Sequence, residues 1–366
     1  MRSCSRPAAF VAMLLAQCHV NGAIAAGESL PTVGADGTIH APAMQAPLSG
    51  FLSPQAKAAM AKQLQNRPDF SASDGIEITR ARADQRSKQV LDGWLRVLPV
   101  ETEDTRISGV HVHVVTPKGG VAEQNRKRVL INAHSGGFMF GGTYGGQIEA
   151  VPMAGYGGVK VIAVDYRLAP EHLYPAASED MEAVYRHVLK DTPAENIGIY
   201  GCSAGGTLAA QMVPWLESKG LPLPGAIGLF CSGAVNGFWY GGDAQVTSRL
   251  LNAVPPPREQ GAGQDQRQPP RDYFAGIDKH TPFISPGEFP DVLARFPPTL
   301  VVTGTRDISM SNAIVTHARL LSAGATAELF VQEGLGHGAF AMLPGLPESK
   351  AAHDVIWHFF DRHLGK

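Results

Sequence analysis

The sequence predicts a doubly wound α/β domain, and three observations point there. Short, continuously apolar, β-rich runs recur along the chain. Segments with helical periodicity separate them. The length of 366 residues, 44% of them hydrophobic, suits one large α/β domain carrying an insertion. An apolar run without polar alternation is a strand buried on both faces, as in a parallel sheet covered by helices. Strand–helix alternation then gives the doubly wound arrangement.

Composition excludes several classes. Lys+Arg 31 against Asp+Glu 33 leaves a net charge of -2. There is no basic excess to track phosphates, so nucleic acid is not an expected partner. The hydrophobic fraction excludes a disordered chain. The 41 Gly and 27 Pro follow no G-X-Y period, so they mark tight turns or linker and not collagen. Four cysteines are too few for a disulfide scaffold.

The chain starts with Arg2 and Arg6, then the apolar run Pro7 to Ala16, then Ala23-Ile24-Ala25. A basic start, a short apolar centre and a small-residue exit describe a secretory signal peptide over residues 1–25, hence a periplasmic or secreted protein. The run is shorter than the roughly 20 apolar residues of a spanning helix, so no membrane span is expected after its removal. Leu15-Ala16-Gln17-Cys18 also resembles a lipobox, which would make Cys18 a lipid anchor. An uncleaved anchor or a frayed apolar start is the plainer alternative. Removing residues 1–25 takes away Cys4 and Cys18 and leaves Cys202 and Cys231 in an oxidising compartment.

Residues 26–50 are rich in Gly, Pro and Ala and read as loop or extended chain. Ser53 to Asn66 reads as a helix, with Ser53 as cap and Pro54 in the first turn. A second helix covers about Ile78 to Val97. Ile107 to Thr116 alternates and is β-branched, so it reads as a strand. The apolar strands are Val129–Ala133, Val159–Val164, Ile197–Tyr200, Ala226–Phe230 and Thr299–Thr303. The helical candidates among and after them are Ala177–Lys190, Gly206–Lys219, Met310–Ala323 and Glu348–Leu364. Val235 to Pro286 breaks this rhythm and reads as a lid, a binding loop or a mobile surface loop. Its flanks carry Phe238, Trp239, Tyr240, Tyr273 and Phe274, which could pack over a pocket.

Gly201-Cys202-Ser203-Ala204-Gly205 lies between a buried strand and a helix. G-x-S-x-G in that context is a nucleophile elbow. The sharp turn puts Ser203 in unfavourable dihedrals and demands small neighbours. Its Oγ is then exposed at a helix N-terminus, where the dipole favours developing negative charge. The plain alternative is a glycine-rich turn with an ordinary serine. Upstream, His134-Ser135-Gly136-Gly137-Phe138 follows another strand. Consecutive glycines let backbone N–H groups approach a ligand. Gly136, Gly137 and Ala204 can therefore form an oxyanion hole, in which one donor is worth about 3 kcal/mol of barrier.

Three blocks resemble the hormone-sensitive-lipase-like carboxylesterases of the α/β-hydrolase superfamily. His134 to Phe138 is similar to that family's HGGGF/W loop. Asp165 to His172 reads DYRLAPEH, followed by Tyr174-Pro175-Ala176-Ala177. Gly201 to Gly206 (GCSAGG) is similar to GDSAGG. The likeness spans roughly residues 105–364. It implies an eight-stranded, mostly parallel sheet with helices on both faces. It also implies a cap built from residues 26–104 and an insertion near 235–286. It implies Ser203 as nucleophile, Gly136, Gly137 and Ala204 as oxyanion donors, and His134 as a residue that shapes the loop. No metal or organic cofactor is implied. The chain departs from the pattern at Ser135, at Cys202 and in the acid motif, which reads Asp307-Ile308-Ser309-Met310-Ser311-Asn312.

In this fold the acid precedes the histidine in the chain. Asp307 follows the strand Thr299–Thr303 and sits at the C-terminal edge of the sheet. His337 lies between glycines in Gly336-His337-Gly338. Neutral His337 would take the Ser203 proton while Asp307 fixes its tautomer. Asp307 pairing with Arg306 or capping the next helix is the competing reading, and Glu333 is the other acid available. His187, His317, His353, His358 and His363 lie on predicted helices and read as surface residues. His111 and His113 share a strand face and could ligate a metal, though no acid cluster accompanies them in sequence. Asp165, Arg167 and Glu171 suggest a polar cluster, and the resemblance implies that this block braces the turn beneath the site. Cys202 and Cys231 end neighbouring strands in the implied topology, close enough for a disulfide, with two buried free thiols as the alternative.

The expected function is an exported serine carboxylic-ester hydrolase acting on small to medium esters through an acyl-enzyme. A lactonase, amidase or drug-inactivating esterase would use the same triad. A catalytically silent binding module is the alternative of another class.

Overall fold

The apolar runs of the sequence become the centre of an eight-stranded sheet. The computed structural model describes residues 32–40, 45–66, 75–235, 242–252 and 272–365. The basic–apolar start, the lipobox, Phe238, Trp239, Tyr240 and the Pro-rich stretch 255–271 lie outside the described residues. The chain divides into two units, 1–47 and 48–366. In the first, β1 (Thr32–Val33) pairs antiparallel with β2 (Ile39–His40).

The second unit holds β3 (Val100–Ile107), β4 (Val110–Pro117), β5 (Val129–Ala133) and β6 (Lys160–Val164). It continues with β7 (Ile197–Cys202), β8 (Ala226–Phe230), β9 (Thr299–Arg306) and β10 (Ala327–Gly336). Their order across the sheet is β10-β9-β8-β7-β5-β6-β4-β3. The β3–β4 and β4–β6 pairs are antiparallel and the other pairs are parallel. Every residue of β5, β7 and β8 is buried, as expected of strands covered on both faces. The stretch read as one strand from Ile107 differs. Ser108 and Gly109, at φ 51° and 86°, turn the chain between β3 and β4. β3 escaped the sequence reading because it is an edge strand with largely exposed residues, so its text Glu101-Thr102-Glu103-Asp104 carries no apolar run.

The helices are α1 (Pro54–Gln65), α2 (Ile76–Val97), α3 (Gly145–Gly157), α4 (Ala176–Val188) and α5 (Ala204–Ser218), then α6 (Asp243–Leu251), α7 (Pro290–Leu293), α8 (Met310–Ser322), α9 (Ala339–Met342) and α10 (Pro347–His363). The six predicted helices agree within two residues at each end. Ser53 Oγ accepts the Ala56 N–H at 3.1 Å, the expected cap of α1. α3 was not expected, because its text is glycine-rich and contains Pro152. It forms because nearly all of it is buried between α2, α10 and the sheet. α6 gives part of the insertion a regular structure. Among the described residues, no helix is long and apolar enough to cross a membrane.

Two large cores flank the sheet. One gathers Met181, Leu208, Met212 and Leu320. The other gathers Trp94, Met153, Ile356 and Phe360. A third, small cluster packs Leu52, Ala56 and Met60 of the α1 region against Leu335 and Ala339, on either side of His337. His353, expected at the surface, is 1% exposed. Its ring meets Trp94 edge-on at 5.4 Å, and burial pulls its pKa down to about 4. The rings of Tyr156 of α3 and Phe340 of α9 also pack against His353 of α10, at 5.8 Å and 5.5 Å.

Candidate active site

Ser203 stands between β7 and α5 with φ 60° and ψ -121°, a strained conformation for a residue with a Cβ. The turn is held by Ser203 N–H donating to Phe230 O at 2.8 Å. It is crowded: a Cβ on Gly201 or on Gly205 would overlap Ala133 O. Only glycine fits at either place, which explains the G-x-S-x-G spacing physically. Ala204 begins α5, so its N–H has no intrahelical acceptor.

The loop after β5 runs beside this turn. Gly136 and Gly137 have φ 123° and 62°. Among the described residues their N–H groups have no backbone acceptor. The loop is braced from behind. The Tyr166 ring stacks on His134 at 4.0 Å and its hydroxyl donates to His134 O at 2.7 Å. Phe138 stacks on Tyr273 at 4.5 Å and meets Phe274 edge-on at 5.3 Å. Tyr273 and Phe274, expected over the pocket, are thus buried supports of the loop. Arg80 of α2 donates to Met139 O and Ala169 O and pairs with Glu171 at 2.7 Å.

His337 follows β10, and its Nδ1 lies 2.7 Å from Asp307 Oδ1. Asp307 is fully buried. Its carboxylate also accepts Thr303 Oγ1–H at 3.0 Å, Ser309 N–H at 2.9 Å and Ser309 Oγ–H at 2.8 Å. Burial by itself raises the Asp307 carboxyl, but His337 and these donors hold it below its ordinary value. Burial likewise lowers His337, and the Asp307 charge outweighs it and raises the imidazole above its ordinary value. The His337 ring is deeply surrounded, yet 34% of its side chain remains exposed. Glu333 is exposed and accepts the Ser49 hydroxyl at 2.8 Å. Arg306 donates to Leu251 O at 2.8 Å.

Ser203, His337 and Gly136 line one cavity of about 390 Å³. At its floor lies a residue the sequence reading missed. Glu149 of α3 is 4% exposed and accepts Ser135 N–H at 2.9 Å, Cys202 N–H at 3.1 Å and Asn132 Nδ2–H at 2.9 Å. Burial pushes its carboxyl up to about 7 against the pull of those donors. The available signal was a lone acid inside the apolar text Ile148-Glu149-Ala150-Val151.

The geometry decides one open reading and corrects two others. Of the two readings of Cys202 and Cys231, buried free thiols are the one observed. Cys231 Sγ instead accepts the Gly338 N–H at 3.1 Å, behind His337. Asp165, Arg167 and Glu171 do not form one cluster. Asp165 binds His111 at 2.7 Å, Arg167 pairs with Asp180 and Glu179, and Glu171 pairs with Arg80. An acid does accompany His111 and His113: strand pairing sets Asp104 opposite His113. Both His111 ring nitrogens are engaged by carboxylates, Asp104 and Asp165, at 2.7 Å.

The profile of the alpha/beta hydrolase fold matches residues 130–341, more than half of the chain. The chain belongs to the α/β-hydrolase fold family. Esterase LipI of Mycobacterium tuberculosis is 30% identical over 74% of this hydrolase and 82% of its own length. An acetyl-hydrolase of Streptomyces hygroscopicus is 27% identical over 65% and 77%. The crystal structure of an esterase superposes with a TM-score of 0.73 at 30% identity, covering 88% of this hydrolase and 98% of that chain. An esterase of the bacterial hormone-sensitive lipase family shares the fold, with a TM-score of 0.68 at 23% identity over 86% and 99%. The resemblance carried by the three sequence blocks is therefore borne out.

Proposed function

We propose that this α/β hydrolase is an exported serine carboxylic-ester hydrolase acting on small to medium esters, with Ser203, His337 and Asp307 as its triad. The observation that carries the reading is the 2.7 Å bond to a fully buried Asp307 from His337, which lines the same cavity as Ser203. Nδ1 is committed to Asp307, so Nε2 serves Ser203. Nε2 takes the Oγ proton as Oγ attacks the ester carbonyl. The Gly136, Gly137 and Ala204 N–H groups receive the oxyanion. Collapse expels the alcohol, protonated by Nε2–H, and leaves an acyl-Ser203. Water, deprotonated by His337, then releases the acid.

Ser203→Ala is expected to abolish hydrolysis of p-nitrophenyl acetate and labelling by a fluorophosphonate. Retention of most activity would overturn the assignment. Export rests on the basic–apolar–small pattern of residues 1–25. N-terminal sequencing of the protein recovered outside the cytoplasm tests it: a start near residue 26 supports cleavage, and an intact Met1 refutes it.

A further inference from the structure

The cavity at Ser203 has a cation in its wall that no group among the described residues answers. Arg86 of α2 is half-buried and lines the same cavity as Ser203 and His337. Among the described residues it has no hydrogen bond, ion pair or ring contact. Its helix neighbour Arg80 shows the contrast, bound by Glu171 and by two carbonyl oxygens. The nearby acids are engaged elsewhere. Asp84 meets the Thr143 hydroxyl and the Arg80 charge. Glu149 is occupied by Asn132, Ser135 and Cys202. Burial pulls the Arg86 guanidinium below its usual basicity, with no neighbouring charge opposing it.

A partly desolvated charge without a counter-ion is costly and is relieved by a partner. A guanidinium is also a rigid fork of donors matched to a carboxylate. Ile148, Ala341 and Met342 make part of the same wall apolar, while Gln63 and Ser87 are polar. The cavity thus offers an ester site at Ser203, an apolar stretch and one cation.

We propose that Arg86 determines specificity by binding a substrate carboxylate, so that the preferred substrates are esters bearing an anionic group on their acyl or alcohol part. This rests on the esterase reading above. The test compares kcat/KM for two matched pairs on wild type, Arg86→Met and Arg86→Lys. One pair is monoethyl adipate with diethyl adipate. The other is 4-acetoxybenzoate with methyl 4-acetoxybenzoate. The readout is the charged-to-neutral ratio, which divides out any general damage. Arg86→Met is expected to lower that ratio about 10- to 100-fold for at least one pair, the loss of one charge-assisted contact. Arg86→Lys should keep part of it. A ratio within about two-fold of wild type for both pairs overturns the proposal, since a solvated surface arginine predicts that outcome. Should Arg86→Met fail to fold, wild type decides. Its ratio must fall as salt rises from about 0.02 M to about 0.5 M, and a flat ratio overturns the proposal. Failure of the esterase reading looks different: neutral-ester hydrolysis then survives Ser203→Ala.

Discussion

The Glu149 carboxylate accepts the backbone N–H of Ser135 at 2.9 Å and of Cys202 at 3.1 Å, so one buried side chain ties the glycine loop to the residue before Ser203. An amide in its place can satisfy only part of that set, because its NH₂ must face an N–H donor. Glu149→Gln is expected to lower kcat at least about 10-fold with little change in KM, as the oxyanion donors lose their register. Steady-state kinetics on the folded variant measures this, and an unchanged kcat would refute it.

Glu149 also makes stability depend on pH. Its carboxyl titrates near 7 in the fold against an ordinary 4.5. A raised folded value means that this contribution is full below pH 4.5 and is lost as pH rises through 7. The difference amounts to about 3 kcal/mol at most. Urea unfolding at pH 5 and pH 8 should show wild type losing stability relative to Glu149→Gln as pH rises. Parallel pH profiles would contradict it.

With His337 as the general base proposed above, the His337–Asp307 pair should set the acid limb of activity. His337 must be neutral to accept a proton, and Asp307 raises its pKa above the ordinary 6.5. The rate should therefore rise with pH through a value above 6.5. Asp307→Asn should reduce kcat by about 10³- to 10⁴-fold and move the remaining limb to lower pH. A limb that does not move would separate Asp307 from His337. For stability, the raised His337 value contributes below pH 6.5 and is lost as pH rises through the folded pKa. The lowered Asp307 value contributes above pH 3.8 and is lost as pH falls.

The elbow tolerates no added atom at Gly205. A Cβ there would overlap Ala133 O and lie 2.8 Å from His134 O. Both are main-chain atoms at the end of a central strand, with little room to yield. Gly205→Ala should cost at least about 3 kcal/mol or prevent folding, read by denaturant titration. A loss under about 1 kcal/mol would show that the turn relaxes.

The two thiols beside the site should be free. Cys202 and Cys231 are buried, so native protein lacking residues 1–25 should react slowly with a thiol reagent. Unfolding it without reductant should expose two thiols. Finding none would mean that the pair is bridged.

Local text carried the strands and turns of the site. The runs Val129–Ala133 and Ala226–Phe230 were legible because a strand buried on both faces must be apolar throughout. Ser203 was legible because its turn excludes any residue larger than glycine at Gly201 and Gly205. β3 and α3 were not, since exposure at a sheet edge and burial between helices override local propensity. The cysteine pair was legible only in part. Strand ends place Cys202 beside Cys231, and the two thiols do meet, but topology does not decide whether they bridge.

Sequence alone determined the family and the strand–turn–helix around Ser203, because each rests on a short motif with strict steric demands. Tertiary structure decided what surrounds that motif. Glu149, Arg86 and His337 are far apart in the chain and share one cavity only after α2 and α3 pack beside the strand ends. Burial, pKa and an unanswered charge belong to that packing, and no local stretch of sequence encodes them.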